Sequence, residues 1–269
     1  MLPSRADMDT TYERFRSIDR LYGTGSVGRL AATHVVVVGI GGVGSWAAEA
    51  LGRSGVGAIT LIDGDEVCIG NTSRQLHALD GAYGRAKVDV IAQRLRAINP
   101  SVDVVSIADF LTPSNLPTLL GRGYDLVLDC CDAFRVKVEM IAWCRRRKLP
   151  LIVCGSAGGR TDPTRIMVRD LAKTEHDALL ALMRKKLREE FGFPRGAKRY
   201  FGVPAVYSLE NVRYPQPDGS VSGTRPKLAG DAALKLDCGN GLGTATHVTA
   251  AFACAAVGRA LQRLLASNS

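Results

Sequence analysis

Gly39-Ile40-Gly41-Gly42-Val43-Gly44 is a G-x-G-x-x-G run set between a run of valines and a helical segment. Glycines at these positions allow a tight turn and a close backbone approach to a phosphate, and the following helix offers free N–H groups and a partial positive charge. Gly39, Gly41, Gly42, Val43 and Gly44 therefore read as nucleotide contacts. Asp63 ends the next strand-like run, where a carboxylate accepts hydrogen bonds from ribose hydroxyls. To this point an NAD-binding oxidoreductase would serve. The residues that follow ask for more charge: Asp65, Asn71, Arg74, Gln75 and Lys87 put polar and cationic groups on elements flanking the same crevice. A dinucleotide pyrophosphate needs few cations, whereas a triphosphate under attack needs several, because negative charge is redistributed in the transition state. Asp132 follows another strand-like run in Asp129-Cys130-Cys131-Asp132. A carboxylate there could hold Mg2+ on the phosphates, and spacing leaves open which of Asp129 and Asp132 does so. No Walker A lysine motif is present, which excludes a P-loop NTPase.

The elements that must position these groups are legible. Val35–Val38 reads as a strand buried on both faces, and Ala58–Ile62, Val102–Ile107, Asp125–Asp129 and Leu149–Cys154 as further strands. Ser45–Arg53, Arg85–Ile98 and Phe134–Arg147 read as helices, the second stopped by Asn99-Pro100. Strands alternating with helices predict an α/β fold, a doubly wound Rossmann-like sheet with right-handed crossovers. The expected organisation is one domain: an N-terminal helical arm over 1–34, a nucleotide-binding core over 35–160 and a C-terminal part over 161–269. In the last part Arg165–Arg169 suggests a strand, Glu175–Phe191 a basic helix and Thr244–Leu265 a closing helix. Leu209–Gly243 between them is rich in Gly and Pro and reads as irregular.

The chain has 269 residues, 46% of them apolar and 23% charged, ordinary for a globular protein with a real core. These values exclude disordered, collagen-like and coiled-coil chains. Thr246–Val257 is the most apolar stretch, yet it falls short of the roughly 20 residues a membrane span needs, and Arg259 follows it; it reads as a buried helix, with no stable membrane insertion. The N-terminus lacks the apolar core of a signal peptide. Seven cysteines at irregular spacing, with no C-x-x-C pair, argue against a structural zinc site of the usual kind and for a reducing, cytoplasmic location. Cys68, Cys130, Cys131 and Cys154 lie on or beside apolar runs and are expected to be small buried hydrophobes. Thirty-five Lys and Arg against 26 Asp and Glu leave a net charge of +9, which favours anionic partners.

The motif set, Gly39–Ser45, Asp63, Asn71–Gln75, Lys87 and Asp129–Asp132, resembles the adenylation domain of the E1-like (ThiF/MoeB) superfamily, whose members activate a carboxylate as an acyl-adenylate from Mg-ATP. Arg14, in Tyr12-Glu13-Arg14-Phe15, resembles the N-terminal arginine that in this family reaches the ATP phosphates of the neighbouring subunit, so the resemblance implies a homodimer. Longer stretches are similar to a tRNA-modifying branch of the superfamily: Arg20–Gly23, Gly39–Leu51, Ala58–Asp63, Gly155–Asp162, Asp170–Thr174, Tyr214-Pro215-Gln216, Asp218–Ser220, Asp237-Cys238 and Val248–Ala250. What that similarity implies is ATP-dependent cyclisation of N6-threonylcarbamoyladenosine at position 37 of tRNA. The threonyl carboxylate would attack the ATP α-phosphate, and the ureido group would then close on the activated carbonyl and expel AMP. ATP and Mg2+ are the implied cofactors, a monovalent cation (Na+ or K+) stays open, and a cysteine desulfurase system is a candidate partner.

In this reading Arg14, Asn71, Arg74, Lys87 and Asp132 serve catalysis, and Asp132 the metal. Nucleophile and acyl group share one substrate, so no enzyme nucleophile is needed. Cys238, between Asp237 and Gly239 on the irregular segment, is a doubtful nucleophile with no sequence-adjacent His. Arg184, Lys185, Lys186, Arg188, Lys198 and Arg199 form a basic cluster that suits RNA phosphates, with Phe191, Phe193, Tyr200 and Phe201 near it as stacking or core residues. A second basic run, Arg145–Lys148, closes a helix, where cations complement the dipole. The competing readings are activation of a sulfur-carrier C-terminus, which expects zinc-binding C-x-x-C pairs; the oxidoreductase, which leaves Asn71, Arg74, Lys87 and Asp132 without roles; and a scaffold that binds ATP without turnover on tRNA.

Overall fold

The valine run forms β1 (His34–Val38), an interior strand of a seven-stranded sheet. Val35 and Val37 enter the core on one face, Val36 and Val38 the core on the other, which is why four consecutive β-branched residues are tolerated. A computed structural model of the protein describes residues 5–196, 198–226 and 242–266. An N-terminal helical pair, α1 (Arg5–Tyr22) and α2 (Ser26–Ala31), leads into β1, and α3 (Gly44–Arg53) and β2 (Ala58–Ile62) follow it. Then come α4 (Lys87–Ile98), β3 (Asp103–Ile107), α5 (Leu116–Leu120), β4 (Leu126–Asp129), α6 (Phe134–Arg146), β5 (Leu151–Cys154) and β6 (Ile166–Asp170). The chain continues through α7 (Ala178–Glu190), β7 (Pro204–Ser208), a short hairpin of β8 (Tyr214–Pro215) and β9 (Val221–Ser222), and α8 (Thr246–Leu265).

The sheet order is β3-β2-β1-β4-β5-β7-β6, parallel except for β6, which runs antiparallel to β7 at the edge. From β1 the chain goes to β2 on one side and later returns to β4 on the other, so a crevice opens past the C-terminal ends of β1 and β4. One face carries α3, α4 and α8, the other α5, α6 and α7. In α8, Val248, Phe252, Ala253, Ala256, Val257, Ala260 and Leu261 recur at helical spacing and are buried. Small alanines let this helix lie close on α3, whose Ala47, Ala48 and Leu51 face the same core. Among the described helices α8 alone is long and apolar enough to cross a membrane, but its apolar face is consumed by the core.

The structure amends several sequence expectations. Helix α7 starts at Ala178 rather than Glu175, because His176 adopts a left-handed φ of 55° and the Asp177 carboxylate caps the helix by accepting the Leu180 N–H at 2.9 Å. Helix α4 starts at Lys87 rather than Arg85, because the Arg85 carbonyl is taken by the Val67 N–H at 2.9 Å. Strand β7 and helix α5 were not anticipated, and the segment read as irregular contains the β8–β9 hairpin. Cys68 is exposed, not buried, while Cys144 and Cys154 are buried. Truncation of Phe252 to Ala is expected to cost about 3–5 kcal/mol, read by urea unfolding; a loss below about 1 kcal/mol would remove α8 from the core.

Candidate active site

The turn after β1 is held where no side chain fits. Gly39 has φ +86°, and a Cβ there would lie 2.7 Å from the Cys131 backbone after β4. A Cβ on Gly44 would collide with the Gly39 carbonyl. Gly44 is thus a packing residue at the start of α3, and it is not among the residues that line the cavity. No side chain caps α3, and its first turn carries no acidic residue, so its N–H groups and partial positive charge face the crevice. Gly39, Gly41, Gly42 and Val43 do line a cavity of about 800 Å³, joined there by Asp63, Asp65, Asn71, Arg74, Gln75, Lys87 and Asp132.

Arg74 is placed from three sides. Its carbonyl accepts the Trp46 indole N–H of α3 at 3.2 Å and the Thr249 hydroxyl of α8 at 3.3 Å, and Thr246 donates to the Ser73 carbonyl at 2.8 Å. Its Cγ lies 3.3 Å from where a Gly42 Cβ would stand, and its guanidinium donates to the Gly70 carbonyl at 3.0 Å. Asn71 is buried, and its Oδ1 accepts the Cys68 N–H at 3.1 Å, which closes the turn that presents Arg74. Gln75 is buried with its Oε1 unpaired among the described residues.

The carboxylates divide their work. Asp63 accepts the Ile40 N–H at 2.6 Å and the Asp65 N–H at 2.8 Å, tying the glycine turn to the end of β2. Burial pushes its carboxyl up, against the pull of those N–H groups and of Lys87. Asp65 accepts from buried Lys87 Nζ at 2.7 Å and holds that cation at the cavity wall. Asp129 is fully buried and paired with fully buried Lys137 at 2.7 Å. Burial works against the Lys137 ammonium, but the Asp129 carboxylate outweighs it and holds the pKa above the usual lysine range. Asp129 is therefore structural, and the exposed carboxylate of Asp132 is the one that lines the cavity.

Other expected residues fall outside it. Arg14, on α1, is exposed and donates to the Ile98 carbonyl at the end of α4 at 3.2 Å. Arg184 is half-buried and donates to Thr174; Lys185 and Lys186 pair with Glu189 and Glu190 along α7. Arg188 lies over the Phe201 ring at 5.3 Å, and Lys198 and Arg199 are exposed. Cys238 lies outside the described residues. Cys130 and Cys131 line the cavity, but their thiols are pushed up, Cys130 by its contact with Cys154 and burial, Cys131 by burial first and Asp129 next. Thiols so held are poor nucleophiles.

Two cavity residues escaped the sequence reading. Arg160 is 2% exposed, its guanidinium donates to the Glu210 and His176 carbonyls, and its Nε has no partner among the described residues. It adds a buried cation to the same cavity; its only sequence signal was the basic residue in the Gly155–Asp162 run. Phe110, 57% exposed just beyond β3, presents a ring against Gly64 at the cavity wall.

A crevice of glycine turn, cations and the exposed carboxylate of Asp132 at a strand switch point matches an adenylating domain. The sequence matches the ThiF family over residues 13–268, and the chain belongs to that family. It is 48% identical to the tRNA threonylcarbamoyladenosine dehydratase of Escherichia coli (strain K12) over 258 residues, 96% of either chain. Its structure is similar to that of E. coli tRNA N6-threonylcarbamoyladenosine dehydratase in complex with ATP, with a TM-score of 0.85 at 44% identity, covering 99% of this chain and 98% of that one. The likeness to the E. coli enzyme in complex with AMP has a TM-score of 0.84 at 44% identity over the same shares.

Lys137→Met would strand the Asp129 charge and is expected to cost about 3–5 kcal/mol; adding Asp129→Asn should restore much of that, measured by urea unfolding. Buried His77, both ring nitrogens unpaired among the described residues, is pushed down from 6.5 to about 4 by burial and by the charge of Lys87. The unfolded chain then binds the extra proton first as pH falls below 6.5, so stability drops toward pH 4 by at most about 3 kcal/mol. His77→Phe should flatten that limb in unfolding curves at pH 5 and 7.5, and a variant as pH-sensitive as the parent would contradict it.

Proposed function

We propose that this protein is an ATP-dependent tRNA threonylcarbamoyladenosine dehydratase, closing N6-threonylcarbamoyladenosine at position 37 to its cyclic form with release of AMP and pyrophosphate. The observation that carries this reading is the gathering of Arg74, Lys87, Arg160 and Asp132 around one glycine-lined cavity, in a chain similar throughout to relatives solved with ATP and with AMP. AMP is what such a reaction leaves behind.

The threonyl carboxylate oxygen attacks the α-phosphorus, and the bond to pyrophosphate breaks. Negative charge moves onto the leaving phosphates, where Arg74 and Lys87 can meet it and the α3 N-terminus adds its partial charge. Arg160 supplies a further cation, and Phe110 offers a face for the adenine. Mg2+ would neutralise the phosphates, and Asp132 suits it: a single free carboxylate beside a phosphate site is the usual protein share, and no cluster of three ligating side chains occurs among the described residues. In the second step the ureido group attacks the activated carbonyl, the carbonyl–oxygen bond to AMP breaks and a proton is lost. The nucleophile is already tethered, so proximity alone favours closure. In a homodimer Arg14 serves the partner's phosphates, which fits its place outside its own cavity. The sulfur-carrier reading expects C-x-x-C pairs that this sequence lacks.

The test is incubation with Mg-ATP and tRNA carrying the threonylcarbamoyl group, followed by mass spectrometry of the nucleosides. The expected product has lost the mass of one water, depends on ATP and appears with stoichiometric AMP; an unchanged nucleoside alongside intact pyrophosphate exchange would reassign the substrate. Arg74→Ala and Lys87→Ala should each slow cyclisation about 10²–10³-fold; near-normal turnover in either would overturn the site assignment. Cys238→Ser should keep substantial activity, and total loss in a folded variant would restore the thioester route.

A further inference from the structure

A second concavity, of about 460 Å³, opens where α6 and α7 end. Its floor is the ring of Phe201, 2% exposed, met edge-to-face by Phe193 at 4.9 Å between centroids. Above it Tyr200 leaves 64% of its surface in solvent, with the Lys173 ammonium 4.8 Å from its ring centroid. Arg145 and Arg146 form the rim. Gly202, at φ +70°, makes room for the first: a Cβ there would stand 3.1 Å from the Arg145 guanidinium. Such a wall combines planar cations with an exposed aromatic face, the pairing that holds unstacked bases and their phosphates.

The charge ledger favours this place over the face of α7. Lys185 and Lys186 are matched by Glu189 and Glu190, and Arg184 is spent on Thr174. Glu190 also lines the groove but is paired with Lys186, and no carboxylate pairs with Arg145 or Arg146 among the described ion pairs.

Position adds a second argument. Ala178 and Leu179 at the start of α7, and Ala133 just before α6, line the active-site cavity, while both helices end at the groove. Each has 13 residues, so the two sites stand about 20 Å apart. A small substrate fills one of them. A polynucleotide with its modified residue in the cavity reaches both.

We infer that the groove between the ends of α6 and α7 is a second RNA subsite, which takes an unpaired nucleotide of the tRNA with its base on Tyr200 and its phosphate on Arg145 and Arg146. This rests on the tRNA reading of the active site, and goes beyond it by naming where the rest of the substrate is held.

The test varies tRNA at saturating ATP and also measures tRNA binding directly by filter retention. Tyr200→Ala should raise the KM for tRNA about tenfold with kcat and ATP affinity unchanged, and Tyr200→Phe should stay near the parent. Arg145→Glu should weaken tRNA binding and lower the slope of log Kd against log salt. Unchanged tRNA KM and Kd in Tyr200→Ala and Arg145→Glu overturn the inference, including the case where the groove proves to take an acidic protein segment instead. A parent protein that binds tRNA without cyclising it would defeat the proposed reaction and leave the groove testable by binding alone.

Discussion

Two backbones meet past the ends of β1 and β4 with no space for a side chain between them. Gly39, with a left-handed φ, stands against the Cys131 backbone, and Gly44 stands against the Gly39 carbonyl. The Cys130 N–H donates to the Val38 carbonyl at 2.8 Å and locks the two strand ends together. Everything else in the site follows from that contact. It aims the first turn of α3 into the crevice, brings Asp132 opposite the glycine turn, and leaves Asp63 just within reach of the Ile40 N–H.

The charges around this contact fall into two kinds. Those that build the fold are consumed by it: Asp129 by Lys137, with neither side chain exposed, and Glu49 by Arg94 at 2.6 Å. Those at the cavity wall are held by one or two neighbours among the described residues and keep capacity for a ligand. Lys87 leans on Asp65, Arg74 on one carbonyl, and Arg160 on carbonyls alone. A phosphate chain can compete with a carbonyl for a guanidinium, because a charge-assisted bond is roughly twice as strong as a neutral one. The same division separates the lysines paired along α7 from the rim arginines at the end of α6.

Chemistry and substrate size meet in the helices that begin at the cavity. The cysteines beside it are kept as thiols, which suits a reaction whose nucleophile arrives on the substrate. Helix α8 contributes at a distance: its Thr246 and Thr249 anchor the carbonyls of Ser73 and Arg74, so the C-terminal end of the chain positions a residue of the nucleotide site.

Much of this was legible in the residues. The valine run, the glycine turn, the alternation of strands and helices, and the set Asp63, Asn71, Arg74, Gln75, Lys87 and Asp132 are local patterns, each interpretable within a few residues of itself. Strand ends were legible to within about two residues; β7 was not, since Pro204 opens it and its partners are 34 or more residues away. That Asp129 is spent in a buried pair while Asp132 faces the cavity depends on Lys137, whose side chain reaches back from α6. Gly44 as a packing residue, Arg160 as a cavity cation and the groove at Tyr200 likewise depend on chain segments brought together from afar. By itself the sequence determined which chemical groups are present and which secondary elements carry them, because propensity and periodicity are local. Only the tertiary structure decided which charges are spent in pairs and which face the cavity, because that depends on burial and on neighbours distant along the chain.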